Sequence, residues 1–167
     1  MFPLFFKVTQ LEKEALREWI ESTLEKFGAP DIFLVDLDWN SSTKKLVVYI
    51  ESDSELLLSR CQKISRFIEK NLDDSEIIGL HYSIAVSSPG VDRPLTSLRQ
   101  YPKNVGRVLR LILQDDTKII GRLVKFTDRQ LTVQLEQKKG KHKRMTYGDP
   151  LDILFENIKE TFVEIRF

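Results

Sequence analysis

Apolar positions in the first half of the chain alternate between a helical and an extended period. Leu11, Ala15, Trp19 and Ile20 recur at helical spacing, and Leu24 and Phe27 extend the same side, which predicts an amphipathic helix. Thr9-Gln10-Leu11-Glu12 fits a capping box that would open it, and Gly28 followed by Pro30 would stop it. Residues 1–6 ahead of it are greasy, but they are too short for a secretory signal and lack a basic start. They read as a strand or tail packed on the body. Phe33, Val35, Leu37 and Trp39 then alternate with Leu34, Asp36 and Asp38, the pattern of a half-buried strand. Residues 40–44 are turn material and 45–50 a second strand, so 32–51 is read as a hairpin. Ser52-Asp53-Ser54 offers caps for a second helix, along which Leu57, Cys61, Ile64, Ile68 and Leu72 lie three or four apart. Residues 80–86 alternate again and predict a third strand.

The second half has a different texture. Residues 105–113, 118–126 and 129–135 are short β-rich runs separated by polar turns, and a last run covers 160–167. Gly121 interrupts one run, as at a bulge or bend in a small barrel. Residues 145–154 resist assignment, because Gly148 and Pro150 break any continuous strand. Together the patterns predict an α+β fold. An N-terminal α/β domain over 1–93 places two helices on a small three-stranded sheet. A linker follows over 94–103, then a C-terminal SH3-like or Sm-like small β-barrel over 104–167.

Charge sharpens this division. The chain of 167 residues carries a net charge of +1. Residues 1–97 hold 11 basic against 16 acidic side chains, whereas residues 98–167 hold 15 against 9. A cationic β-rich half points to a polyanionic partner. Its densest stretch is Lys138-Lys139-Gly140-Lys141-His142-Lys143-Arg144, five cations in seven residues, read as a basic hairpin or loop projecting from the barrel. Lys138, Lys139, Lys141, Lys143 and Arg144 are therefore the candidate RNA-phosphate contacts. Tyr147 and His142 are weaker candidates for base stacking.

Catalytic and metal chemistry find little support. Cys61 is the only cysteine, which excludes an intrachain disulfide and a cysteine-rich metal site. It lies on the apolar stripe of the second helix, where a small buried hydrophobe is the simplest reading. Asp36 and Asp38 share a strand face and read as the solvated side of a sheet rather than a metal pair. His81 falls in a strand pattern and His142 in the basic stretch, neither with ligand spacing around it. No glycine-rich phosphate loop occurs, and Ser87 and Ser88 sit in no nucleophile elbow. No apolar run reaches the ~20 residues that a membrane helix requires. A non-enzymatic, cytoplasmic binding protein without cofactor is the expectation.

The most specific stretch is Val86-Ser87-Ser88-Pro89-Gly90-Val91-Asp92-Arg93-Pro94-Leu95. Pro89-Gly90 suits the centre of a type II turn, and Pro94 biases Arg93 towards an extended conformation. By itself this is a shaped joint between two domains, with Asp92 and Arg93 as opposite charges beside the bend. Residues 87–95 also resemble the signature of the RimP family of bacterial ribosome maturation factors. Leu24-Glu25-Lys26-Phe27-Gly28, residues 46–50, Cys61 with Ser65-Arg66, Tyr82-Ser83-Ile84, Val105-Gly106-Arg107-Val108, Gly121-Arg122-Leu123 and Asn157-Ile158-Lys159 are similar to further markers of that family. The resemblance implies a monomeric assembly factor that binds the free small (30S) ribosomal subunit. It also implies 16S rRNA and small-subunit ribosomal protein twelve as partners. Ser87, Ser88, Pro89, Gly90, Asp92, Arg93 and Pro94 would then form the joint or a partner-facing surface. Ala85 departs from the acidic residue usual before the signature, and residues 138–150 are longer than the usual turn. A general RNA-binding adaptor with an Sm-like barrel is the alternative, and a peptide-gripping SH3-like module a more distant one.

Overall fold

The helical and alternating stripes of the first half meet across one sheet. In the computed structural model, backbone is described for residues 3–139 and 144–166, and side chains for residues 12–137 and 145–166. Helix α1 spans Pro3–Phe27, strands β1 and β2 span Ile32–Asn40 and Lys45–Ser52, helix α2 spans Leu58–Ser75, and strand β3 spans Ser83–Ser87. The sheet order is β1-β2-β3. β1 and β2 form the antiparallel hairpin, while β3 runs parallel to β2, which requires the crossover that α2 supplies. Leu16, Ile20 and Leu24 of α1, and Cys61, Ile64, Ile68 and Leu72 of α2, bury against Leu37, Leu46, Val48 and Ile50 of the sheet. Burial pushes the Cys61 thiol pKa up, which suits a packing role.

Several local expectations are corrected. α1 begins at Pro3, not at Thr9, so residues 3–6 are neither strand nor tail. Proline is accepted at the first helical position, and no further proline or glycine interrupts the chain before Gly28. The alternation in β1 changes phase at a bulge between Leu34 and Asp36. Ile32, Leu34 and Leu37 all join the core with the helices, because one extra residue in a strand moves all later side chains to the other face. At that bulge Arg17 donates to the Val35 carbonyl at 3.1 Å. The Asp36 carboxylate accepts from the Leu37 amide at 2.8 Å and pairs with Lys13 at 3.5 Å. Residues 80–82 precede β3 as a turn, with φ at +61° for His81, so this histidine does not belong to the strand.

Ser52 and Ser54 do not cap α2, whose N-cap is Leu57 and has no side-chain hydrogen bond. Their hydroxyls donate instead to Asp31, at 2.6 and 3.4 Å. Arg60 grips the same carboxylate with two nitrogens, both at 2.6 Å. This fork ties the turn before β1 to the first turns of α2, and the Arg60 hydrogen bonds hold the Asp31 pKa well below the usual carboxylate range. A lowered folded-state pKa contributes stability above the unfolded value, ~3.9, that is lost as pH falls through the folded one. Thermal melts of wild type and Asp31→Asn should therefore differ by a constant amount at neutral pH. The difference should shrink below about pH 4; one that persists undiminished in acid would remove the fork from the stability account.

In the second unit, strands β4 (Val108–Leu113), β5 (Lys118–Phe126), β6 (Gln130–Lys139), β7 (Arg144–Leu154) and β8 (Ile158–Val163) form an antiparallel sheet. Its order is β7-β6-β5-β4-β8, a small barrel-like domain, and the fold as a whole is α+β. Leu109, Leu111, Leu123, Leu131 and Val133 fill its core. Gly121 lies inside β5, paired with Leu109 and Leu135. A Cβ there would come within 2.8 Å of the Gln134 carbonyl oxygen, so this glycine permits close backbone approach, while the bulge in β5 falls later, between Leu123 and Lys125. β7 runs unbroken through Gly148 and Pro150, correcting the expectation that these residues interrupt it. β7 lies at the end of the sheet order, and Pro150 adjoins the irregularity in its pairing with β6, both places where a strand tolerates proline. The register shift opposite Leu135 absorbs Gly148 and Asp149.

The chain divides into two compact units at Pro89/Gly90. Residues 3–89 of the first unit follow two residues outside the described set. Across 1–89 the sequence has 10 basic and 15 acidic side chains, and across 90–167 it has 16 and 10. The charge asymmetry thus follows the structural boundary. No helix among the described residues is long and apolar enough to cross a membrane.

Candidate functional site

The signature segment begins as regular strand and ends as part of the second unit. Val86 and Ser87 close β3, paired with Val48 and Tyr49 of β2. The Ser87 hydroxyl donates to the Ser88 carbonyl at 3.1 Å, a local backbone bond of the kind a turn serine makes. Gly90 has φ at +66° with nothing near the position of a Cβ; the constraint there is conformational, since L side chains avoid that region. Ser87, Ser88, Gly90 and Asp92 are exposed, whereas Pro89, Arg93 and Pro94 are half-buried.

Residues 94–104 are packed, and a buried polar knot explains how. The Leu95 amide donates to the Thr161 carbonyl at 2.7 Å, so the chain leaves the signature pinned to β8. Ser97 and Gln100 form a capping box on a 3-10 turn at Leu98–Gln100. Gln100, 1% exposed, accepts through Oε1 from the Thr96 and Ser97 amides at 2.8 and 3.0 Å. Its carbonyl accepts from the Asn104 side chain at 2.6 Å, and Asn104 Oδ1 accepts from Arg107 at 3.2 Å. Tyr101 packs beside this knot against Phe126 and Phe155, ring centroids at 5.7 and 5.4 Å, and burial pushes its phenol pKa up. Hydrogen bonds of this kind among buried amides help to hold one conformation. The Ser97-x-x-Gln100 spacing was a visible signal for this element; the partnership of Gln100 with Asn104 was not.

The other candidate lies at the far end of the β6–β7 hairpin. β5 pairs with β6 only as far as Gly121–Leu135, but β6 and β7 remain paired to Lys139–Arg144. Residues 136–139 and 144–147 thus form a two-stranded ribbon beyond the body of the sheet. Lys138, Lys139 and Arg144 are in the ribbon backbone, with side chains outside the described residues. Gly140, Lys141, His142 and Lys143 lie outside the described residues altogether. At the ribbon base Arg122 stacks over the Tyr147 ring, 3.9 Å from its centroid, so Tyr147 is engaged by a cation-π contact. Among the described residues no group of three or more His, Cys, Asp or Glu is placed to hold a metal ion.

A family model described as the RimP N-terminal domain matches residues 20–92. The chain is 35% identical over 159 residues to the ribosome maturation factor RimP of Flavobacterium psychrophilum, covering 93% of this chain and 98% of the relative. The chain belongs to the RimP family. It is also 30% identical over 146 residues to the RimP of Cytophaga hutchinsonii, covering 82% and 87% of the two chains. The RimP N-terminal match ends at Asp92, two residues beyond the boundary glycine, so Arg93 and Pro94 fall outside it. Near end-to-end coverage by RimP relatives includes the barrel-like unit as well as the matched domain.

Proposed function

We propose that this protein is a non-enzymatic maturation factor of the small ribosomal subunit. In this reading it binds the free 30S particle as a cytoplasmic monomer, assists 16S rRNA maturation without a cofactor, and contacts small-subunit ribosomal protein twelve. The observation that carries the reading is the near full-length similarity to relatives named ribosome maturation factors. Two features of this chain support it. Positive charge is concentrated in a small β unit, taken here as an SH3-like barrel, and a basic ribbon extends from that unit's sheet. Lys138, Lys139, Lys141, Lys143 and Arg144 are assigned to rRNA phosphates. Ser87, Ser88, Pro89, Gly90, Asp92, Arg93 and Pro94 are assigned to the joint and its partner-facing side.

Sedimentation of lysates tests the reading directly. The protein should travel with free small subunits at low salt and be competed away by small subunits better than by total transfer RNA. Equal competition would favour a general RNA-binding adaptor, and absence from the small-subunit fractions would reject the ribosomal role. For the joint, Arg93→Ala should weaken small-subunit binding by more than its effect on melting temperature accounts for. Unchanged affinity with unchanged Tm would make Arg93 ordinary surface.

A further inference from the structure

We propose that the exposed ridge of α2 formed by Lys63, Arg66 and Lys70 is a second RNA-phosphate contact surface, on the acidic unit. The inference rests on the ribosomal reading above and adds a surface which that reading does not include. Cys61, Ile64, Ile68 and Leu72 turn one side of α2 into the core, and this fixes the opposite side outward. Lys63, Arg66 and Lys70 lie three and four residues apart on that side and are all exposed, so they stack along one ridge. The ridge is about 10 Å long at ~1.5 Å per residue. Over such a length one nucleic-acid strand presents about three phosphates, one per ~3.4 Å of duplex axis.

Two observations indicate that the fold itself does not use these cations. None of the three makes a hydrogen bond or ion pair to a described residue, in contrast to Arg60 one turn earlier, which is committed to Asp31. The order of charge along α2 also opposes its dipole. The first turn contains no acidic residue and the last turn no basic one, while Asp73 and Asp74 stand near the C-terminal end. A helix dipole favours the reverse arrangement, so packing and dipole give no reason to place cations here.

The acids nearest the ridge on α2 are Glu69, Asp73 and Asp74. Asp73 accepts from the Tyr82 hydroxyl at 2.6 Å. Glu69 also acts on that phenol, whose pKa is pushed up by burial first and then by these carboxylates. Asp73 is thus engaged by Tyr82, and Glu69 and Asp74 are the other exposed acids beside the ridge. What remains is a positive strip on a unit with excess negative charge, a strip that attracts a polyanion locally while the rest of the surface repels it. Such phosphate contacts fix register on an RNA strand and add salt-dependent affinity without reading its sequence.

The test uses the full chain, a full-length small-subunit rRNA transcript, and binding measured from about 50 to 200 mM salt. The triple variant Lys63→Gln, Arg66→Gln, Lys70→Gln should keep the wild-type Tm. Its slope of log affinity against log salt should be shallower by about 2–3, at ~0.7–0.9 per phosphate released. The triple Lys63→Arg, Arg66→Lys, Lys70→Arg should restore the slope, because phosphate neutralisation needs charge and not a particular shape. Lys63→Gln alone gives a smaller change in the same direction and serves if the triple variant folds poorly. An unaltered slope in the neutral variant overturns the proposal. So does a defect confined to small-subunit protein binding with rRNA affinity intact, which would make the ridge a protein contact. Wild type that shows no salt-dependent rRNA binding at all would reject the RNA-binding reading itself, whereas wild type that binds with a ridge-independent slope rejects only the ridge.

Discussion

Replacing Lys138, Lys139, Lys141, Lys143 and Arg144 together with glutamine is expected to cost orders of magnitude in rRNA affinity at low salt. Each phosphate neutralised by a cation releases condensed counterions, which contributes ~0.7–0.9 to the slope of log affinity against log salt. If three to five of these cations engage, the slope should become shallower by roughly 2–5. The hairpin supports a large effect because its base is built into the sheet. β6 and β7 stay paired to Lys139–Arg144, so Lys138, Lys139 and Arg144 start from an ordered ribbon backbone, and less entropy is lost when they dock. Stability should change little, since removing mutually repelling cations from the end of a ribbon takes no apolar group out of the core. Electrophoretic shift or filter binding across salt concentrations, with thermal melts on the same samples, checks both parts. An identical slope before and after would remove the ribbon from the RNA-binding surface.

The second large effect concerns stability. Gly121→Ala should destabilise the second unit by about 1–3 kcal/mol, the range for overpacking a filled core. The added Cβ meets the backbone oxygen of Gln134 at 2.8 Å, with the Gln134 carbonyl carbon at 3.3 Å and Val133 Cβ at 3.4 Å. Backbone in a central ladder cannot step aside without stretching the β5–β6 hydrogen bonds. For a domain of this size each kcal/mol should lower Tm by about 4–8 °C. Gly148→Ala is the control. Its Cβ would meet the Nε2 atom at the end of the Gln137 side chain at 2.7 Å, which can rotate away, so the change should be much smaller. Comparable losses in both variants would mean that the barrel backbone yields at Gly121 as easily as an exposed side chain.

Both arguments start from residues that the sequence displayed but did not explain. Gly121 stood out as a break in an apolar run, yet whether a glycine marks a bulge or a close approach depends on the neighbouring strand. The bulge falls at Leu123/Lys125 instead. Pro150 and Gly148 argued against a strand over 145–154, and that inference failed because β7 ends the sheet order and carries an irregularity opposite Leu135. Ser52 and Ser54 had the chemistry of helix caps, but Asp31 competes for their hydroxyls from across the hairpin. Such competition between distant groups leaves no trace in local spacing.

Sequence alone determined the α+β order of elements, the apolar stripes of both helices, the signature at 86–95 and the segregation of charge. Each of these depends on the period of residues close along the chain, or on composition. The tertiary structure alone decided the phase of β1 after its bulge, the role of Gly121, the Gln100–Asn104 knot, and, among the described residues, the commitment of Arg60 but not Lys63, Arg66 or Lys70 to an internal partner. Those outcomes are set by which groups meet across strands and helices. A free cation and a paired one look alike until the fold puts a carboxylate beside one of them.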